Sequence, residues 1–165
     1  MKRKYKSIIH LLFILNLIYG NASDRKFPHV NFNLFNGNKT SIEELLNKGP
    51  LVVQFWAIWC SPCKKEMYYL DKIQKEYKDM GVNVVCVNTD NLKSIPKAKA
   101  FVRQKKYNLL VASDPSAEIF KKLNASVMPT TIIFDQNGQI VYSKEGYING
   151  DEKNVEEKLK SMLKP

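Results

Sequence analysis

Leu51-Val-Val-Gln-Phe-Trp56 is nearly unbroken in apolar character, and its length and its β-branched and aromatic content predict a buried strand. After a short turn, Met67, Leu70, Ile73 and Tyr77 recur at helical spacing until Gly81 stops the pattern. A second strand, Val82 to Asn88, follows and reads as central in its sheet. Ahead of this unit, residues 26–31 read as a mobile lead-in and Phe32 and Leu34 begin a strand. Asn36-Gly37-Asn38 makes a hairpin-type turn, and Ser41-Ile-Glu-Glu44 spells a capping box before a short helix ending near Gly49-Pro50.

Beyond Asn88 the polar Thr89-Asp90-Asn91 leads to Ser94-Ile-Pro96, which opens a helix with Ala100, Phe101 and Val102 on its apolar side. Leu109 to Ala112 is a short strand, and Asp114-Pro115 caps a helix through Leu123. Ser126 to Thr131 precedes a strand over Ile132 to Asp135. Gln136-Asn-Gly138 then turns tightly into Ile140 to Ser143, and an amphipathic helix covers Asp151 to Leu163. Strands alternating with helices, then a hairpin and a helix, predict an α/β layer fold with a mixed sheet. The chain of 165 residues has neither repeats nor a long linker, so one domain is expected.

The first 22 residues stand apart from this pattern. Met1 to Lys6 is basic, Ile8 to Tyr19 is apolar, and Gly20-Asn-Ala22 offers small residues ahead of a cleavage point before Ser23. A signal peptide over 1–22 and a folded domain over 23–165 are expected, with export to the periplasm or the outer face of the cytoplasmic membrane. An uncleaved anchor is the alternative, although the run is short for a spanning helix and carries His10 and Asn16. Lys2, Arg3, Lys4 and Lys6 account for four of the formal +10 charges, leaving +6 on the rest. The remaining lysines scatter along helices without the aromatic-basic interleaving of a nucleic-acid reader, so no nucleic-acid partner is expected.

Chemistry concentrates in Cys60-Ser-Pro-Cys63, where the first strand hands over to a helix. Cys60 at the helix start faces unpaired backbone N–H groups and the positive end of the helix dipole, both of which favour a thiolate. Free cysteine titrates at about 8.5, and such a setting lowers that by one to several units. Pro62 falls in the first turn, where a missing N–H costs nothing, and Cys63 is about one turn on, close enough to close a disulfide with Cys60. A structural pair or half a zinc site is the plainer reading of the same residues. His29, the one histidine outside the leader, makes a poor addition to a four-ligand site, and no metal or cofactor is expected. Cys86, inside the second strand, reads as a buried inert thiol.

Phe55-Trp-Ala-Ile-Trp-Cys-Ser-Pro-Cys-Lys64 resembles the active-site signature of the thioredoxin superfamily, closest to the exported reductases of the ResA/TlpA type. The resemblance runs from about Phe32 to Leu163. It implies a thioredoxin-like fold with extra N-terminal strands and a central insertion between Thr89 and Leu123. It also implies that Cys60 attacks disulfides and Cys63 resolves the product. Met128-Pro129-Thr130 matches the cis-proline loop that lies beside the two cysteines in such proteins, with an ordinary trans turn as the alternative. Met128, Pro129 and the rim residue Trp59 are thus the expected substrate contacts.

Plain thioredoxin carries an acid in the strand ahead of Phe55, where this chain has Gln54. ResA-type reductases instead use a glutamate three residues past the second cysteine, and Glu66 fills that place as an expected catalytic residue. A surface glutamate paired with Lys65 or Lys72 is the alternative. The implied activity is that of an exported thiol–disulfide oxidoreductase reducing protein disulfides, in relatives often that of apocytochrome c. Its expected partners are a disulfide-containing protein substrate and a membrane electron donor, and the chain itself is read as a monomer. Competing readings are a peroxiredoxin-like peroxidase, which lacks its usual Thr-x-x-Cys here, and a Cu(I)-binding metallochaperone using Cys60 and Cys63.

Overall fold

The computed structural model describes residues 27–163, so the expected leader over 1–22 lies outside the described residues. The elements are β1 (Asn31–Leu34), β2 (Lys39–Ser41), α1 (Ile42–Leu46), β3 (Leu51–Trp56), α2 (Ser61–Tyr77), β4 (Asn83–Asn88) and α3 (Ile95–Lys105). They continue with β5 (Leu110–Ser113), α4 (Glu118–Lys122), β6 (Thr130–Phe134), β7 (Ile140–Glu145) and α5 (Asp151–Leu163). The seven strands form one mixed sheet in the order β2-β1-β5-β4-β3-β6-β7. β3, β4 and β5 run parallel, while β1, β2, β6 and β7 add antiparallel pairs outside them.

Because side chains alternate across a strand, the buried run of β3 serves both faces of the sheet. Val52 and Trp56 join Met67, Leu70 and Ile73 of α2, Ala98 of α3 and Val155 and Leu159 of α5 in one apolar cluster. Leu51, Val53 and Phe55 join Ile42 and Leu45 of α1 and, toward α4, Phe120 and Leu123 in the other. Gln54 therefore points to the α2 side. So do its direct partners on either side, Cys86 of β4 and Thr131 of β6. The inserted segment between β4 and β6 supplies α3, β5 and α4, with β5 seated between β4 and β1.

Three local expectations are corrected. The lead-in is not mobile over its described part: Val30 is buried, its carbonyl accepts the Ile42 N–H at 3.1 Å, and His29 Nδ1 lies 2.8 Å from Glu43 Oε1. On α3 the buried alanine is Ala98 rather than the exposed Ala100, because helical spacing sets Ala98 one turn before Phe101 and Val102. The helix expected from Asp114 starts at Glu118, after a turn, yet Asp114 still caps it by accepting the N–H groups of Glu118 and Phe120, each at 2.9 Å. The capping box at Ser41 forms as spelled, with Glu44 N–H donating to Ser41 Oγ and Ser41 N–H to the Glu44 carboxylate.

At the sheet end remote from the cysteines, two glycines cross. A Cβ added to Gly81 would lie 2.0 Å from the Lys48 carbonyl oxygen, and one added to Gly49 2.5 Å from the Gly81 oxygen. Gly81, with φ near +87°, also ends the 3-10 turn that closes α2.

Candidate active site

β3 delivers the chain to a three-residue turn, Ala57 to Trp59, that the backbone closes through Cys60 N–H to Ala57 O at 3.0 Å. A second tie comes from below: Asp90, buried at the end of β4, accepts the Ile58 N–H at 2.7 Å and the Asn88 side-chain amide at 2.8 Å. Cys60 is the N-cap of α2, and its sulfur accepts the Cys63 N–H at 3.3 Å, with Pro62 in the first turn. Cys60 and Cys63 are joined as a disulfide, with Cα atoms 5.3 Å apart. In the disulfide both sulfur-bearing residues are covered, Cys60 being 4% accessible and Cys63 0%. Both belong to the cluster that holds Trp56 and Ala57, with Met128 packed against it.

Around this covered disulfide the rim is open. Trp59 is 69% exposed, as a rim residue should be, whereas Trp56 is fully buried. Ser61, Pro62 and Lys65 line a pocket whose other wall is Tyr147, Ile148 and Asn149 from the loop after β7. The Met128–Pro129 bond is cis, Thr89 donates its hydroxyl to Met128 Sδ at 3.2 Å, and the Pro129 carbonyl accepts the Gly146 N–H at 2.7 Å. Trp59, Met128 and Pro129 thus all belong to the region around the redox pair.

Glu66 is not a surface group paired with Lys65 or Lys72. It is buried on the sheet side of α2, and the Lys72 ammonium lies over the Tyr68 ring instead, 4.5 Å from its centroid. Its carboxylate accepts from Gln54 Nε2 at 2.7 Å and from Thr131 Oγ1 at 2.8 Å. Gln54 Nε2 also donates to the Cys63 carbonyl at 3.1 Å, so one amide nitrogen touches both the helix turn that carries the second sulfur and the carboxylate. Burial pushes the Glu66 carboxyl above its ordinary value, and the two hydrogen bonds pull part of the way back. Burial likewise holds the Cys86 thiol well above its ordinary value, with the negative charges of Glu66 and Asp71 adding to the effect. Gln54 and Thr131 were not expected as site residues. Their matching places in adjacent strands were the available signal, but it required the β3–β6 register.

A Cys-x-x-Cys at a strand-to-helix turn, flanked by a cis-proline loop and backed by a buried carboxylate, defines a thioredoxin-like thiol–disulfide oxidoreductase. The chain belongs to the Redoxin family, whose sequence profile matches residues 22–159. It is 30% identical over 128 residues to the thiol-disulfide oxidoreductase ResA of Bacillus thuringiensis subsp. konkukian, covering 78% of this chain and 69% of that one. To ResA of Bacillus subtilis it is 31% identical over 106 residues, 64% of this chain and 58% of that one. Among solved structures it is similar to a candidate thiol:disulfide interchange protein DsbE from Chlorobium tepidum, with a TM-score of 0.76 and 26% identity. That match covers 83% of this chain and 94% of the other.

Proposed function

We propose that the protein is exported and, in its dithiol form, reduces disulfides in other proteins. The observation that carries the chemistry is the buried Glu66 carboxylate, tied through Gln54 to the backbone of Cys63. In this reading the Cys60 thiolate attacks one sulfur of the substrate disulfide. The substrate S–S bond breaks, its other sulfur leaves with the electron pair and takes a proton, and a mixed disulfide joins Cys60 to the substrate. Cys63 then gives its proton to the Glu66 carboxylate, attacks Cys60 Sγ and closes the intramolecular disulfide. The second substrate sulfur leaves as a thiolate, both substrate sulfurs take protons from solvent, and Glu66 returns its proton to solvent. Two electrons have then passed to the substrate and, with the proton Cys60 shed on ionising, two protons have left the enzyme.

Trp59, Met128 and Pro129 form the contact surface for the substrate chain, and a membrane-bound donor restores the dithiol. The leader over residues 1–22 supports export, and the ResA/TlpA resemblance supports apocytochrome c as a substrate and cytochrome c maturation as the process. The experiment is insulin-disulfide reduction together with a measured potential. Wild type should catalyse reduction, Cys60→Ser should not, and Cys63→Ser should accumulate a Cys60-linked mixed disulfide. A potential close to about −270 mV supports a reductant, while one close to about −120 mV would reverse the proposed direction.

A further inference from the structure

Two side chains hold the Glu66 carboxylate, and only one of them can follow it through ionisation. Gln54 presents one nitrogen to Glu66 Oε2 and to the Cys63 carbonyl oxygen. A carbonyl oxygen only accepts, so the amide cannot turn over and Gln54 is a fixed donor to Oε2. Thr131 donates to Oε1, but a hydroxyl accepts as readily as it donates. When the carboxyl takes up a proton, Oε1 is the oxygen that can carry it and keep its partner. The acid O–H then donates to Thr131 Oγ1, and the threonine hydrogen must turn elsewhere. A buried acceptor is open for it. Gln54 Oε1 is buried without a hydrogen-bond partner, and Gln54 and Thr131 are direct partners across the β3–β6 ladder, with side chains on one face.

We propose that Thr131 is a positioning residue for the proton exchanged with Cys63. Its hydroxyl donates to the carboxylate and accepts from the acid, with Gln54 Oε1 receiving its hydrogen in the second state. The inference rests on the proposed role of Glu66. In the transfer the Cys63 S–H bond breaks, the electron pair stays on sulfur, and the proton comes to rest on Glu66 Oε1. The threonine hydroxyl rotates without losing its hydrogen. This accounts for a buried amide oxygen left unmet beside a carboxylate whose other contacts are all satisfied.

The charged and titratable groups acting on Glu66 come from several elements. Asp151 of α5 opposes its ionisation and Lys144 of β7 favours it. Cys86 of β4, Tyr142 of β7 and Tyr147 of the following loop feel its charge, and Cys60 and Cys63 head its own helix. A substitution at Thr131 removes none of them.

The test is the iodoacetamide reaction rate of Cys63 in the reduced full chain against pH, read by mass spectrometry separately from Cys60. Thr131→Val removes a donor to the carboxylate and should move the Glu66 inflection upward by roughly one pH unit. Thr131→Ser keeps the hydroxyl and should restore the wild-type profile. Thr131→Val added to Glu66→Gln should shift nothing further. Thr131→Ala carries the same measurement if the valine variant does not fold. A Thr131→Val profile superimposed on wild type, while that of Glu66→Gln differs, overturns the proposal and leaves Glu66 standing. If Glu66→Gln also superimposes, the Glu66 role fails first. A Thr131→Ser shift equal to that of valine, with the hydroxyl still present, shows that the hydroxyl does not set the profile and overturns the proposal as well.

Discussion

Asp90 Oδ2 accepts the backbone N–H of Ile58 at 2.7 Å, so the end of β4 holds the turn that leads into Cys60. The bond crosses from one parallel strand end to the next, and the same Asp90 oxygen accepts from the fully buried Asn88 amide. Asp90→Ala should lower stability by about 1–3 kcal/mol, the usual cost of leaving a buried donor unpaired. Urea unfolding of the oxidised protein measures this. The same variant should reduce insulin more slowly, because Trp59 and Cys60 lose their fixed approach. Unchanged stability and rate would show that the turn holds itself.

Trp59 exposes 69% of its surface beside a disulfide that exposes almost none. A large apolar ring in that position gains contact area only when another chain covers it. Trp59→Ala should raise KM for insulin several-fold while leaving the reaction with a small aromatic disulfide near the wild-type rate. Equal losses on both substrates would place the tryptophan in support of the turn instead.

Cys86 has no accessible surface, and burial favours its protonated form. Native reduced protein should therefore present two fast thiols to a disulfide reagent, with the third reacting only on unfolding. Cys86→Ala should retain turnover and lose about 1 kcal/mol to the small cavity it opens. A large loss of activity with an intact fold would contradict this.

Glu66 supplies a pH signature in stability as well as in rate. Its carboxyl is harder to ionise in the folded chain than in the unfolded one. Below the unfolded value, about 4.3, both states keep the proton and the group is neutral to folding. As pH rises toward the folded value the unfolded chain has already lost that proton, so it binds fewer and the unfolding free energy falls. Glu66→Gln has no proton to lose, and its amide can meet both Gln54 and Thr131. The stability of the variant relative to wild type should grow from pH 4 upward and level off above the folded value. Urea titrations of both oxidised proteins across that range check it, and a difference independent of pH would refute it.

The redox turn, the strand that feeds it and the helix that follows could be read from residues 51–77 because local signals agree there. An apolar run ends at a turn, cysteines sit one helical turn apart, and the spacing beyond is regular. The capping box at Ser41 and the final helix were legible for the same reason. What was not legible depends on pairing across the sheet. The resemblance marked Glu66 as a catalytic residue, but its burial and its partners followed only from β6 bringing Thr131 opposite Gln54. The reach of Asp90 to Ile58 spans 32 residues and has no local mark. Asp114 caps a helix from farther back than the usual spacing, so its start was set too early.

The crossing of Gly49 and Gly81 fixes the zero mark of a ruler. Both strands of the β3–α2–β4 unit start from that pinch, and α2, 17 residues long and so roughly 25 Å, spans the distance from it to the sulfurs. With the far end clamped backbone to backbone, an inserted or deleted residue in α2 has no slack to take up behind it. The error would be delivered forward, to Cys63 and Glu66, so tolerance of length changes in this helix should be lower than its partly exposed surface suggests.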